Sequence, residues 1–365
     1  VTAVLQFGTT EKDSDLFHEI PTVIVDQFPY LEDGHGRRAA VMWAADAVHL
    51  PEYGVEVLPR EAYGWDELIA TSRDENATWT SVVPRACADL GIRDATVPPQ
   101  FPVFMADALR AAGVTLRVDA DLFVGRRRVK TAHELAGIKR AQATAEVAMA
   151  VARDMIGECR PAEEIRAAIQ TVYSERDCDF DDALVAPGPQ SASYHEMGEG
   201  PLTPGEPVVV DLWPRDRRSR CWSDMTRTFV AGGAEPHEPL GEMWRLCRAS
   251  LDAAYALIWA GADGTAVYAA SCEPFEAAGW PTQRTKAPGE PIVDGYAHGL
   301  GHGVGLEVHE RPNLGRLGDE LVAGDMIAIE PALYRQGFGG CRLEDLVLVT
   351  EDGYERITDF PYELA

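Results

Sequence analysis

Five residues of this chain have the types and settings that would hold divalent metal ions: Asp211, Asp224, His302, Glu330 and Glu344. The run Pro207-Val208-Val209-Val210-Asp211 reads as an apolar strand that stops at a carboxylate. Buried without a partner, such a group costs several kcal/mol or takes up a proton, so Asp211 calls for a cation. Met326-Ile327-Ala328-Ile329-Glu330-Pro331 repeats the pattern, with proline halting the strand. Asp224 lies in a second strand-like segment, Trp222 to Phe229. Two strands so joined would pair as a hairpin and bring both carboxylates together. Like charges at close range raise one pKa strongly unless a cation sits between them. Glu344 introduces the apolar segment Leu346 to Val349. Ion pairs offer a plain alternative for two of these residues, Asp224 with Arg227 and Glu344 with Arg342.

Between them, His298-Gly299-Leu300-Gly301-His302-Gly303-Val304-Gly305 places a glycine at every second position, and His309 follows shortly after. Alternating glycines let a backbone approach its neighbour closely and leave the imidazoles as the large polar side chains. The run does not fit the G-x-G-x-x-G dinucleotide fingerprint, because Val304 and Leu306 stand where its last glycine would fall. Four carboxylates on or beside apolar strands make a site too negative to fold empty, and a pair of divalent cations would neutralise it. Oxygen donors with one imidazole and no thiolate favour Mn²⁺, with Co²⁺ or Zn²⁺ as alternatives.

The elements that must position these groups follow from hydrophobic periodicity. Residues 1–125 alternate short apolar runs, Thr22 to Val25 and Ala39 to Met42, with helical stretches such as Val103 to Ala112, which suggests a small α/β domain. It carries no clustered His or Cys. The basic patch Arg126-Arg127-Arg128-Val129-Lys130 marks the domain boundary and reads as a solvated linker in preference to an anion site. Helices are predicted over 133–156, 162–176 and about 239–260, with strands over 208–211, 223–230, 326–330 and 343–350. Helices interleaved with hairpins argue for an α+β domain with a mainly antiparallel sheet.

At 365 residues the chain exceeds the usual size of a single core. Its 33 basic against 59 acidic side chains give a net charge of -26, which repels nucleic acid and anionic lipid. Seven scattered cysteines without a C-x-x-C pair read as reduced thiols of a cytoplasmic protein. Glu11, Asp13 and Asp15 argue against a secretory signal, and no apolar run is long enough to span a bilayer.

From about residue 130 onward the chain resembles the pita-bread metallopeptidases, the superfamily of methionine aminopeptidase, aminopeptidase P and prolidase. Their motif of two Asp, one His and two Glu is matched in order by Asp211, Asp224, His302, Glu330 and Glu344. The resemblance implies an α+β pita-bread catalytic domain over 126–365, a mainly antiparallel sheet covered by helices, preceded by a smaller α/β creatinase-like domain over 1–125. It implies that Asp211 chelates one metal, Asp224 and Glu344 bridge both, and His302 with Glu330 completes the second. Glu330 would move the proton to the leaving nitrogen. His195, in Ser193-Tyr194-His195-Glu196, and His309, in Val308-His309-Glu310, stand where the family keeps imidazoles that bind substrate and steady the tetrahedral intermediate. His298 would line the same cleft, and Arg342 would orient Glu344 or receive a substrate carboxylate.

The implied function is a dinuclear-metal Xaa-Pro peptidase acting on proline-containing di- or oligopeptides. The short separation of Glu330 from Glu344 favours prolidase over aminopeptidase P, and relatives suggest a homodimer. Two departures bear on substrate scope. The connection Leu212 to Cys221 is longer than the family's usual form and lacks its glycines, and Glu310-Arg311-Pro312-Asn313 lacks the basic residue that some dipeptidases place beyond the proline. The alternative is a non-catalytic or creatinase-like pita-bread protein that binds a peptide or small amide, which the intact ligand set disfavours.

Overall fold

The computed structural model describes residues 2–364, and the chain divides between Arg127 and Arg128 into two compact units. In the first unit, six strands form one mixed sheet in the order Glu56–Pro59, Arg38–Met42, Phe28–Glu32, Ala3–Gly8, Asp94–Val97, Thr115–Val118. Phe28–Glu32 runs antiparallel to both its neighbours, and the other pairs are parallel. One face packs on the helices Trp65–Ser72, Glu75–Asp89 and Val103–Ala111 through Phe7, Trp79, Val82 and Met105. The other face carries a smaller core of Leu16, Ile20, Phe28, Tyr30 and Leu50.

The apolar run Thr22 to Val25 does not form the strand its composition suggests. The Thr10 hydroxyl donates to Thr22 O and accepts from Ile24 N, so a side chain takes the bonds a neighbouring strand would have made, and Val23 and Val25 are exposed.

The second unit is built on antiparallel sheets, as the hairpin pattern requires. Leu184–Pro187, Pro207–Leu212 and Met225–Val230 form a three-stranded sheet with Pro207–Leu212 central. Five strands form another, ordered Glu310–Leu314, Gly301–Gly303, Met326–Ile329, Asp345–Thr350, Gly353–Arg356. Helices Ala132–Gly157 and Ala162–Glu175 cover the three-stranded sheet through Ala148, Met149, Ile165 and Ile169, the small Ala side chains allowing close packing. Thr131 and Glu134 form a reciprocal capping box that starts the first of these helices. Helices Glu238–Tyr255 and Gly264–Ala277 pack through Met243, Leu251, Tyr268 and Phe275 with core residues of the five-stranded sheet.

The helix expected to reach residue 260 stops at Tyr255, because Ala260 N and Gly261 N donate instead to Thr350 O and Leu321 O. Gly264–Ala277 was not predicted. Its Pro274 masks the helical signal, although Asp263 caps its start by accepting from Thr265 N.

The basic patch is not a solvated linker. Arg126 meets Glu19 and Glu32 at 2.8 and 2.7 Å, and Arg127 meets Asp15 at 3.0 Å, all within the first unit. Arg128 meets Asp325 at 2.6 Å and Lys130 pairs with Glu310, both within the second. Fixed carboxylates claim these cations, as an acidic chain makes easy. All seven cysteines are free. Among the described residues no helix is long and apolar enough to cross a membrane.

Candidate metal centre

The antiparallel register that sets Leu212 opposite Met225 and Asp211 opposite Thr226 determines where the first two carboxylates lie. Asp211 is in the strand, and Asp224 stands just before its partner begins. Glu330 and Glu344 occupy matching places on the five-stranded sheet, one after Ile329 and the other before Asp345, which are paired across two antiparallel strands. His302 is central in its short strand, opposite Ala328. The glycines beside it are required: a Cβ on Gly301 would lie 1.9 Å from Ala328 O, and one on Gly303 would lie 2.3 Å from Arg311 O.

All five expected ligands line one cavity of about 540 Å³, together with His195, His298, His309 and Arg342. Their donor atoms gather in three overlapping groups, each within 4.8 Å: Asp211 with Asp224 and Glu344, His302 with Glu330 and Glu344, and Asp224 with His302 and His309. His302 Nδ1 donates to Gly303 O at 3.1 Å, which leaves Nε2 with its lone pair 3.8 Å from both Asp224 and Glu330. That tautomer is the one a metal ligand needs.

Enclosure and crowding govern the electrostatics. Asp224 and Glu344 are 6% and 1% exposed, and loss of solvent raises their pKa values well above the carboxylate range, the neighbouring carboxylates adding to the effect. Burial pushes Glu330 up to about 8, against the pull of Arg342. His302 is pushed down to about 3 by burial and by the His309 ring, whose centroid is 4.2 Å away, so the imidazole stays neutral. Buried Oδ1 of Asp211 has no hydrogen-bond partner.

The ion pairs do not fall where the sequence offered them. Arg227 bonds Asp345, not Asp224, and Arg342 bonds Asp211, not Glu344. Arg342 also reaches Thr226 Oγ1 at 3.1 Å, Tyr334 OH at 3.2 Å and Tyr194 O at 3.3 Å. His298 donates from Nδ1 to Gly299 O, and its Nε2 accepts from Tyr334 OH at 3.0 Å; burial lowers its pKa to about 4. Sequence reasoning missed Tyr334, Thr226 and Trp213. Tyr334 sits on a strand that was not predicted, Thr226 sits on a predicted strand but its hydroxyl carried no signal of its own, and Trp213, on the cavity wall, opens the connection read only as unusual.

Carboxylates around a neutral imidazole, beside an apolar wall of Met197, Trp213 and Val308, form a cavity suited to a metal-dependent hydrolase. The family model described as metallopeptidase family M24 matches residues 136–351, and the chain belongs to that family. The probable dipeptidase PepE of Mycobacterium tuberculosis is 30% identical over 272 residues, covering 74% of this chain and 68% of its own. An Xaa-Pro dipeptidase of Pyrococcus furiosus is 29% identical over 248 residues, 67% of each chain. The solved structure of an Xaa-Pro dipeptidase from Bacillus anthracis shares the fold across 99% of this chain and 94% of its own, with a TM-score of 0.79 at 23% identity.

Proposed function

We propose that the protein is a dinuclear-metal Xaa-Pro dipeptidase, which hydrolyses the bond between an amino-terminal residue and proline. The observation that carries this reading is the sharing of Glu344 by two donor groups, one completed by Asp211 and Asp224, the other by His302 and Glu330. The residues fit a pair of cations. Asp211 Oδ1 is buried and unpartnered, His302 Nε2 is aimed at carboxylates, and the raised pKa values of Asp224 and Glu344 are what bound positive charge would relieve. Such a pair, Mn²⁺ before Co²⁺ or Zn²⁺, would supply Lewis-acid chemistry, the activation of a water and of the scissile carbonyl.

The chain's own groups would do the rest. Glu330 would accept a proton from the attacking water and pass it to the leaving imide nitrogen, which has no hydrogen of its own. His195 and His309, on the cavity wall, would donate to the developing oxyanion. His298 would line the substrate site, held by Tyr334, and Arg342 would fix Asp211. Met197, Trp213 and Val308 offer the apolar surface a pyrrolidine ring would cover. The dipeptidase assignment is favoured over aminopeptidase P because both relatives above carry dipeptidase names. A creatinase-like first domain over 1–125, a catalytic domain over 126–365 and a homodimer complete the reading, and the seven free thiols support a reducing, cytoplasmic setting.

Hydrolysis of Ala-Pro, Gly-Pro, Met-Ala and Ala-Pro-Ala with added Mn²⁺ tests it. Cleavage of the two Pro dipeptides is expected. Cleavage of the tripeptide alone would move the assignment to aminopeptidase P, and cleavage of Met-Ala alone would overturn the proline specificity.

A further inference from the structure

Behind Glu344 lies a buried charge pair that the proposed reaction does not use. Arg227 and Asp345 are both 0% exposed and are bonded Nη2 to Oδ1 at 2.8 Å. A guanidinium has five N–H donors, and each of these finds an acceptor. Nη1 donates to Thr226 O at 2.9 Å and to Glu344 O at 2.7 Å. Nη2 also donates to Phe360 O, and Nε to Pro361 O, both at 2.9 Å.

The acceptors divide into two sets. Thr226 and Glu344 are already joined at the metal centre: Thr226 Oγ1 donates to Glu344 Oε2 at 2.7 Å, and Glu344 N donates to Thr226 O at 3.0 Å. Phe360 and Pro361 belong to the C-terminal segment. That segment is tied down by Tyr362 OH bonding Asp345, Trp244 Nε1 donating to Tyr362 O at 2.8 Å, and Val230 N donating to Leu364 O at 2.8 Å. The Tyr362 ring lies 4.6 Å from the Arg227 guanidinium.

A buried ion pair is a poor source of stability compared with apolar packing, and its best-attested use is to specify one arrangement. Here the arrangement specified is the backbone on both sides of a shared carboxylate. We infer that Arg227, together with the C-terminal segment it grips, is a positioning residue that sets Glu344 for metal binding. The inference rests on Glu344 being a metal ligand, as proposed above. Partners behind a ligand typically alter metal affinity by about 10- to 100-fold when changed.

Calorimetric titration of metal-free protein with Mn²⁺ tests this, comparing wild type with Arg227→Lys, Tyr362→Phe and Glu344→Gln, each also melted in chelator. Glu344→Gln is expected to lose tight binding. Arg227→Lys and Tyr362→Phe are expected to bind Mn²⁺ at least about 10-fold more weakly while remaining folded. A purely structural role would lower their melting temperatures in chelator and leave Mn²⁺ affinity unchanged, and that result overturns the inference. If Arg227→Lys does not fold, Tyr362→Phe decides alone. Wild-type Mn²⁺ binding by Glu344→Gln would instead overturn the ligand assignment.

Discussion

A carboxylate enclosed among other carboxylates favours its protonated form, and Asp224 is in that position, facing Glu344, Asp211 and Glu330. Asp224→Asn removes the charge and keeps the shape. We expect it to raise the melting temperature in chelator while lowering peptidase activity at least about 100-fold, because the proposed assignment makes Asp224 a metal ligand. Thermal melts and activity assays on the same preparations check both halves. His195 makes a different prediction, since it lines the cavity without joining any donor group. His195→Ala should retain its metal and lose about 100-fold in kcat, as removal of one oxyanion donor does; loss of metal from the purified variant would contradict that role. The arginines show where residue-level reading runs out. Arg227 stands three residues from Asp224, an odd spacing that sets the two on opposite faces of an extended chain, and the strand that ends at Arg342 does not continue through Glu344, so chain proximity does not choose the partner. Asp211 gains the arginine, and Asp224 and Glu344 are left facing one another.

The Gly301–Gly303 strand is the element most constrained by its neighbours. It runs between Glu310–Leu314 and Met326–Ile329, with carbonyls of Ala328 and Arg311 where side chains would stand. Gly301→Ala should therefore cost about 3 kcal/mol of stability and displace His302, read as a lower urea midpoint together with weaker Mn²⁺ binding; an unchanged midpoint would contradict the close packing. The alternating glycines marked the close packing around His302, although no strand was predicted over 301–303, and the apolar runs ending in Asp211 and Glu330 made their own strands legible in the sequence. Strong helical periodicity likewise located 132–157 and 162–175. Elements held by tertiary bonds were not legible. Thr22 to Val25 looked like a strand until the Thr10 hydroxyl took its bonds, and Tyr334, which bonds His298 and Arg342, lies on a short strand that carries no signature.

Over the whole molecule, a net charge of -26 and a cluster of enclosed carboxylates act in the same direction. The folded pKa of Glu330 is about 8, against an ordinary value of 4.5, and those of Asp224 and Glu344 are also raised. Between the unfolded and folded values the native state binds more protons than the unfolded chain, so metal-free stability is greatest below the unfolded pKa and falls as pH rises through the folded one. Melting in chelator should accordingly drop from about pH 5 to about pH 8, and Glu330→Gln should flatten the slope; a slope unaltered by that variant would assign it to general charge repulsion. The central claim, that five residues from two sheets hold a pair of cations, is tested most directly by metal content after loading with Mn²⁺ and desalting. Wild type should retain two ions per chain and Glu344→Ala fewer than one, whereas no retained ion in wild type, or equal content in both, would contradict the account.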